Sequence, residues 1–294
     1  MLANRPKTKI LVDGGDPEEN TEGQSFAWLR RWTNDKSDAD CQQPWHSATN
    51  YFGKGAEFPR ENEAYKKIVQ ALSAMVGDAG VSIEVFADLN TSAEQMLAQG
   101  EEMFTWIPNA YIKYPCTREG LRAAELSVRK NIRVNMTLCF SQEQAAAVYA
   151  ATKGSREPVY VSPFVGRLDD RGENGMDVVG NIKRMYASGD GHVHVLAASI
   201  RHLDHLLASF ALNVELVTVP AKVLGEWAAK GFPLPQPGFT YKGLDSKGNN
   251  LKAIPYRDLN LSSPWDRFDI AHELTKKGIE KFVADYESTL QRTA

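Results

Sequence analysis

The stretch Ala110-Tyr-Ile-Lys-Tyr-Pro-Cys-Thr117-Arg-Glu-Gly-Leu-Arg-Ala-Ala-Glu-Leu126 changes from a strand pattern to a helix pattern. Its first part is a short run of bulky apolar residues, and its second part has apolar residues at helical spacing. Thr117 stands near the junction, and a threonine hydroxyl is a favoured helix N-cap. The stretch therefore predicts one β/α unit, with a strand over Ala110–Tyr114.

The same alternation recurs along the chain. Ser141 and Ser92 precede further amphipathic segments and are expected to be N-caps. Alternating strands and helices predict a parallel sheet, and seven strands in one chain favour an eight-fold (β/α)8 TIM barrel. The second strand is predicted to be missing or disrupted, since no strand pattern appears between Asp13 and Val81. The other predicted strands are Lys9–Asp13, Val81–Ala87, Arg133–Leu138, Pro158–Pro163, His192–Ala198 and Val214–Val219.

Composition narrows the class of protein. The 294 residues are 43% hydrophobic and 24% charged, which is typical of a globular protein, and we expect a single domain over 1–294. Within it, 233–294 reads as a Pro- and Gly-rich loop followed by a terminal helix. A net charge of −3 argues against nucleic acid and anionic membranes as partners. No apolar run approaches the ~20 residues of a membrane span, and no signal peptide is evident, so we expect a cytoplasmic protein.

Polar residues stand at the predicted strand ends, where β/α barrels carry their chemistry. Residues two apart share a face of a strand. This spacing pairs Asn135 with Thr137, Ser162 with Phe164, and Ser199 with Arg201, and Arg167 lies just beyond the second pair. Two arginines beyond strand ends suit a phosphate, which guanidinium groups bind through two hydrogen bonds. Each arginine taken alone fits a solvated surface charge better.

Asp13 and Glu84 each interrupt an otherwise apolar strand, and Lys113 lies among bulky neighbours in Tyr111-Ile-Lys-Tyr-Pro115. A charge inside a barrel is costly unless it is paired or neutralised, and a neutral amine can attack a carbonyl. Lys113 is therefore a candidate Schiff-base nucleophile. The alternative is that Lys113 points outward among the helices, and spacing alone leaves the two about equal. The two strand carboxylates favour catalysis.

A metal site is not expected. His192 and His194 lie two apart, and His202 and His205 three apart, but no carboxylate-rich ligand spacing accompanies them. The three cysteines provide neither a disulfide framework nor metal-ligand spacing.

Several strand motifs together resemble those of the transaldolase family, and they occur in the family's order. The opening Leu11-Val-Asp-Gly-Gly-Asp and the closing Leu274-Thr-Lys-Lys-Gly-Ile-Glu-Lys-Phe also fit. The motifs are Val81-Ser-Ile-Glu-Val-Phe-Ala-Asp, Ile112-Lys-Tyr-Pro-Cys-Thr-Arg-Glu-Gly-Leu, Val134-Asn-Met-Thr-Leu-Cys-Phe-Ser, Val161-Ser-Pro-Phe-Val-Gly-Arg and Ala198-Ser-Ile-Arg.

The resemblance implies transfer of a dihydroxyacetone unit between sugar phosphates, in the pentose phosphate pathway, without a metal or an organic cofactor. Lys113 matches the Schiff-base lysine, and Asp13 matches the base that removes the C4 hydroxyl proton. Glu84 and Thr137 match the pair that holds a catalytic water. The substrate-binding matches are Asn135 and Ser162 for the dihydroxyacetone unit, Phe164 beside them, and Arg167, Ser199 and Arg201 for the phosphate.

Two alternatives remain. The related fructose-6-phosphate aldolases carry Gln where this chain has Glu84 and Tyr where it has Phe164. Both positions therefore favour transfer over simple cleavage. The other alternative is a catalytically impaired barrel that binds sugar phosphates. The sequence leaves the oligomeric state open, a homo-oligomer included.

One segment departs from the resemblance. The family's second strand carries D-G-Q-T-T-N-P-S-L-I, and nothing similar appears in this chain. Ala27-Trp-Leu-Arg-Arg-Trp-Thr-Asn-Asp-Lys-Ser37 stands there instead. Back-translated and read one base later, it permits L-G-Y-V-D-G-Q-T-T-N-P, and the tryptophan codons force both glycines. We therefore expect about 20–55 to be translated from the wrong frame. The alternative is a lineage-specific insertion.

Overall fold

The computed structural model describes residues 7–13, 46–48, 62–76, 80–245 and 247–291. Eight parallel strands follow one another around a closed barrel, which confirms the predicted (β/α)8 architecture. The predicted strands appear with ends shifted by a few residues at most. The strands are β1 Lys9–Asp13, β2 His46–Ala48, β3 Val81–Glu84, β4 Ala110–Pro115, β5 Val134–Cys139, β6 Val159–Pro163, β7 Val193–Ala197 and β8 Leu216–Pro220.

The second strand is disrupted rather than missing. It has three residues, and its register places His46 beside Leu11 and Ala48 beside Asp13. On its other side it pairs with β3 only through Ser47 and Ala48. By contrast, β4 pairs with β3 at four positions. The barrel therefore closes through a short second strand, in the region that lacks apolar alternation. The remainder of the segment predicted to be out of frame lies outside the described residues.

Helices follow the strands, and several of them begin at a side-chain N-cap close in sequence. The three predicted N-caps are confirmed, because the side chains of Ser92, Thr117 and Ser141 accept hydrogen bonds from backbone N–H groups three residues later. The helices are α1 Asn62–Val76, α2 Ala93–Phe104, α3 Arg118–Arg129, α4 Gln142–Ala151, α5 Val165–Asp169, α6 Gly175–Tyr186, α7 Leu203–Ala211, α8 Ala221–Ala229 and α9 Glu273–Gln291.

The core lies between the barrel and its helices. Strands β4 and β5 are buried along their whole length, as expected for a parallel sheet covered on its outer face. On α3 the buried side is formed by Leu121, Ala124 and Val128, which continue the helical spacing of the opening stretch. In the part of the chain that the structure describes, no helix is long and apolar enough to cross a membrane.

The terminal helix α9 lies over the end of the barrel at which the strands finish. A Cβ at Gly278 would lie 2.6 Å from Leu138 Cδ2 and 2.7 Å from Arg167 Nη1. Leu138 is near the end of β5, and Arg167 follows β6. The helix backbone can approach this closely because position 278 has no side chain. Helix α9 thus covers the end of the barrel at which the candidate residues lie.

Candidate active site

Lys113 and Glu84 form a buried ion pair inside the barrel. Their Cα atoms are partners in the register of β3 and β4, so both side chains leave the same face of the sheet. Lys113 Nζ lies 3.2 Å from Glu84 Oε2, and the two residues are only 3% and 7% exposed. The alternative in which Lys113 points outward is therefore wrong. The pairing satisfies the requirement that a buried charge has a partner.

A chain of hydrogen bonds crosses the barrel interior beside this pair. The Ser162 hydroxyl donates to Asn135 Oδ1 at 2.8 Å. The Asn135 amide then donates to Ser82 Oγ at 3.1 Å. Asn135 is also the register partner of Lys113 on the neighbouring strand. The amide of Asn135 is consequently held in one orientation, with both of its ends occupied.

Thr137 lies two residues beyond Asn135 on the same face of β5. Its Oγ1 is buried and has no hydrogen-bond partner among the described residues. A buried hydroxyl without a partner costs free energy, so such groups usually bind water or ligand. Thr137 therefore offers a polar contact to a molecule that enters the barrel next to Lys113.

Two arginines lie together beyond β6 and β7. Burial and the nearby positive charge of Arg201 lower the pKa of Arg167 below its usual value. The guanidinium of Arg167 lies between the rings of Phe164 and Phe282, 5.2 and 5.3 Å from their centroids. Arg201 is thus near enough to disfavour the charge of Arg167, and a concentration of positive charge of this kind attracts an anion. Ser199, in a left-handed backbone conformation with φ 58°, lies on the same loop as Arg201.

The loops that carry these arginines interlock through backbone groups. The N–H groups of Val165 and Gly166 donate to the carbonyls of Ala198 and Ser199, each at 2.9 Å. A Cβ at Gly166 would lie 2.4 Å from both Arg201 Cγ and Ser199 O. Glycine is therefore required at this contact, and the two loops form one unit.

A buried network lies beneath the Arg201 loop. His205 Nδ1 accepts the backbone N–H of Arg201 at 3.3 Å, and His205 Nε2 lies 2.8 Å from Asp169 Oδ2. The Tyr241 hydroxyl lies 2.8 Å from both His205 Nε2 and Asp169 Oδ2. Burial acts to raise the pKa of Asp169, but hydrogen bonds from His205, Gly175 and Tyr241 outweigh it and leave that pKa below its usual value.

This network includes a group of potential metal ligands. One ligand atom each from Asp169, His202 and His205 lies within 4.8 Å of the others. Both ring nitrogens of His205 are already within hydrogen-bond distance of other groups. The arrangement is therefore satisfied as a hydrogen-bonded network.

The terminal helix completes the enclosure. Ile279, Phe282 and Val283 of α9 line a small cavity together with Glu84 and Pro115. An apolar roof over a buried ion pair excludes water and strengthens electrostatic interactions beneath it.

The structure brings most of the predicted residues to one end of the barrel. Lys113, Glu84, Asn135, Thr137 and Ser162 share its interior. Phe164, Arg167, Ser199 and Arg201 lie just beyond the strand ends. Asp13 ends β1 beside Ala48 and Pro220, and its side chain lies outside the described residues.

The sequence analysis did not identify three residues of this region, Ser82, Asp169 and Tyr241, and it considered His205 only as a metal ligand. Ser82 stands two residues before Glu84 on the same face, so strand alternation was a usable signal for it. Asp169 and His205 are separated by 36 residues, and no local pattern links them.

Comparison with known proteins places the chain among related sequences. Residues 50–293 match the model of the family described as Transaldolase/Fructose-6-phosphate aldolase. A probable transaldolase of Bacteroides thetaiotaomicron is 40% identical over 234 residues, which cover 80% of this chain and 81% of that protein. A probable transaldolase of Dehalococcoides mccartyi is 39% identical over 160 residues, covering 54% and 70%. One from Maricaulis maris is 32% identical over 227 residues, covering 77% and 81%.

Proposed function

Because this chain belongs to the transaldolase/fructose-6-phosphate aldolase family, we propose that it transfers a dihydroxyacetone unit from a ketose phosphate to an aldose phosphate through a Schiff base on Lys113. The observation that carries this proposal is the Lys113–Glu84 pair, 3.2 Å apart and buried inside the barrel. Enclosure removes Lys113 from water, and the adjacent Glu84 can take a proton from its ammonium to give the neutral amine that attacks a carbonyl.

The first half-reaction forms the covalent intermediate. Lys113 Nζ, as the neutral amine, attacks the C2 ketone of the substrate, and loss of water gives the imine. Glu84 is placed to accept a proton from the ammonium and to return one to the departing oxygen. The hydroxyl of Thr137, which has no hydrogen-bond partner among the described residues, supports a water in this relay.

Bond cleavage follows from the imine. Asp13 removes the proton of the C4 hydroxyl, the C3–C4 bond breaks, and its electron pair moves into the imine to give the enamine. An aldose phosphate leaves as the aldehyde. A second aldose phosphate then accepts the enamine carbon, and hydrolysis of the new imine frees Lys113. The sequence of steps is redox-neutral and needs no metal or organic cofactor.

The remaining side chains hold the substrate. Asn135 and Ser162, already oriented by their mutual hydrogen bond, are placed for the hydroxyl groups of the dihydroxyacetone unit. Arg167, Ser199 and Arg201 are placed for the phosphate. Reaction in the pentose phosphate pathway, a cytoplasmic location, a single domain and a homo-oligomer stay predictions.

Borohydride trapping tests the proposal. Reduction in the presence of fructose 6-phosphate is expected to fix a ketose-derived adduct on Lys113, seen by mass spectrometry of the intact chain and its peptides. Lys113→Ala is expected to abolish the adduct, and Lys222→Ala, an exposed lysine on α8, to leave it unchanged. An unmodified wild-type chain, or an adduct that survives in Lys113→Ala, would overturn the proposal.

Acceptor dependence separates transfer from simple cleavage. If the enamine is transferred, release of more than one equivalent of glyceraldehyde 3-phosphate per active site from fructose 6-phosphate requires erythrose 4-phosphate. If the protein is an aldolase, free dihydroxyacetone accumulates without an acceptor. The carboxylate of Glu84 and the ring of Phe164, which lacks a hydroxyl, favour the first outcome.

A further inference from the structure

Arg201 is held at its guanidinium and at its backbone by contacts that lead to two aspartates at the end of α5. Its guanidinium Nη2 donates to Asp170 Oδ2 at 2.9 Å on the surface. Its backbone N–H donates to His205, which in turn lies 2.8 Å from Asp169. Two consecutive aspartates therefore fix one arginine, one directly and the other through a histidine.

The inner contact has a defined tautomer. His205 Nδ1 accepts the N–H of Arg201, so the proton of the neutral ring lies on Nε2 and is donated towards Asp169 and Tyr241. His205 is completely buried, and its ring is packed against that of His202, with centroids 3.8 Å apart. The ring cannot leave this position without breaking hydrogen bonds on both sides.

The carboxylate of Asp169 is anchored in the same way. Its Oδ1 accepts the backbone N–H of Gly175 at the start of α6, and its Oδ2 faces His205 and Tyr241. The trio thus connects α5, α6, α7 and the segment after α8. One of its hydrogen bonds reaches the backbone of Arg201, in the anion site.

We propose that Asp169, His205 and Tyr241 position Arg201 for the phosphate group of the substrate and so set the affinity for phosphorylated ketoses. This inference rests on the proposed function, because it assigns the anion of the Arg167–Arg201 site as the substrate's phosphate. The trio consists of positioning residues, since it acts through the backbone of Arg201.

A purely structural role would not require this arrangement. Buried polar groups replaced together by apolar groups of similar shape are often neutral in stability, so a polar trio is not needed to fill the space. The geometry instead has Asp169 and Tyr241 hold His205, whose Nδ1 accepts the N–H of a residue two positions after the left-handed Ser199. That backbone conformation needs support from outside its own loop.

The test compares a phosphorylated donor with an unphosphorylated one. Half-saturation of borohydride trapping is measured with fructose 6-phosphate and with dihydroxyacetone, which has the ketone but no phosphate. In His205→Leu we expect the half-saturating concentration of fructose 6-phosphate to rise about 10-fold, because one buried hydrogen bond at a charged site is lost. The limiting trapping rate and the half-saturating concentration of dihydroxyacetone are expected to stay unchanged. His205→Asn, which keeps an acceptor near the Nδ1 position, is expected to restore part of the affinity.

Tyr241→Phe removes a single hydroxyl and guards against a variant that does not fold. We expect a smaller rise in the same direction. Tyr149→Phe is the matched control, because its hydroxyl accepts the N–H of Asp190 before β7, at the opposite end of the barrel. It is expected to behave as the wild type with both donors.

Binding of inorganic phosphate gives a readout that does not depend on catalysis. The dissociation constant, measured from the rise in melting temperature with phosphate concentration, is expected to increase in Arg201→Gln and His205→Leu and to stay unchanged in Tyr149→Phe. A wild-type chain that binds phosphate but forms no adduct would overturn the proposed function alone. Equal losses for both donors, or phosphate binding unchanged in both His205→Leu and Tyr241→Phe, would overturn the positioning role.

Discussion

Lys113 Nζ and Glu84 Oε2 lie 3.2 Å apart inside the barrel, on neighbouring strands whose register places the two residues side by side. Neither charge is solvated to any extent, so each depends on the other. Removing one partner leaves the other buried, which costs far more than the pair contributes relative to apolar residues. The stability of the fold and the proposed chemistry are therefore coupled through this contact.

The coupling predicts a non-additive pair of variants. Lys113→Met removes the cation 3.2 Å from the Glu84 carboxylate, and we expect the free energy of unfolding to fall by about 3–5 kcal/mol. Adding Glu84→Gln removes the buried charge, so the double variant is expected to be more stable than Lys113→Met alone. Urea denaturation of the four proteins measures the coupling. Additive losses would show that the two charges do not depend on each other.

Two glycine substitutions, one at the contact between the interlocked loops and one within α6, are expected to have opposite effects on stability. At Gly166 a Cβ would meet the Ser199 carbonyl and Arg201 at 2.4 Å, so Gly166→Ala is expected to destabilise by about 1–3 kcal/mol and to weaken phosphate binding. Gly180 lies within α6, where a Cβ would meet Leu212 at 3.8 Å. Gly180→Ala is expected to stabilise by about 0.5–1 kcal/mol and to leave phosphate binding unchanged. Thermal unfolding with and without phosphate distinguishes the two, and a tolerated alanine at 166 would contradict the contact.

Partly buried histidines predict how stability depends on pH. Burial, the largest cause in each case, lowers the pKa of His194, His202 and His272 below the usual 6.5. Below that pH the unfolded chain binds more protons than the folded one. The free energy of unfolding is therefore expected to fall as the pH drops from about 7.5 to about 5.5.

His272 offers the matched variant for this prediction. Its Nδ1 accepts the backbone N–H of Leu274 at the start of α9. His272→Asn removes the titrating ring and keeps a side chain that can accept this hydrogen bond. The shift of the urea midpoint between the two pH values is expected to be smaller in the variant. An equal shift in both proteins would exclude His272 from the pH dependence.

Local patterns predicted much of this structure. A hydroxyl cap such as Thr117 acts over three residues, so the sequence contains all the information needed to place it. The proximity of Lys113 and Glu84 is consistent with strand order and alternation. Consecutive strands of a parallel barrel are neighbours, and alternation along each strand determines which residues face the interior. Spacing alone left the orientation of Lys113 open, and the burial of both partners decided it.

Contacts between distant segments could not be predicted in this way. Asp169 meets His205 across 36 residues and Tyr241 across 72, and neither spacing corresponds to a helical or strand period. His202 and His205 lie three residues apart and so share a face of a helix. This spacing made them candidate metal ligands. Only the hydrogen bond from the Arg201 N–H to His205 Nδ1 shows that His205 holds a loop backbone. Functional roles of this kind depend on which loops are in contact, and the sequence pattern within one loop does not indicate its partner loop.

The short second strand leads to the last prediction. In the chain as it stands, β2 contributes three residues, whereas β4 and β5 contribute six each, and a barrel depends on complete pairing around its circumference. We propose that the DNA across codons 19 to 57, read one base later, spells D-G-Q-T-T-N-P, the second-strand motif of the family. A chain rebuilt with that reading over 20–55 is expected to melt at a higher temperature and to turn over fructose 6-phosphate with erythrose 4-phosphate faster.

The same replacement in a Lys113→Ala background separates the two effects, since it should raise the melting temperature without restoring turnover. A shifted frame that does not encode the motif would reject the proposal, and full turnover by the present chain would show that the lost motif is dispensable.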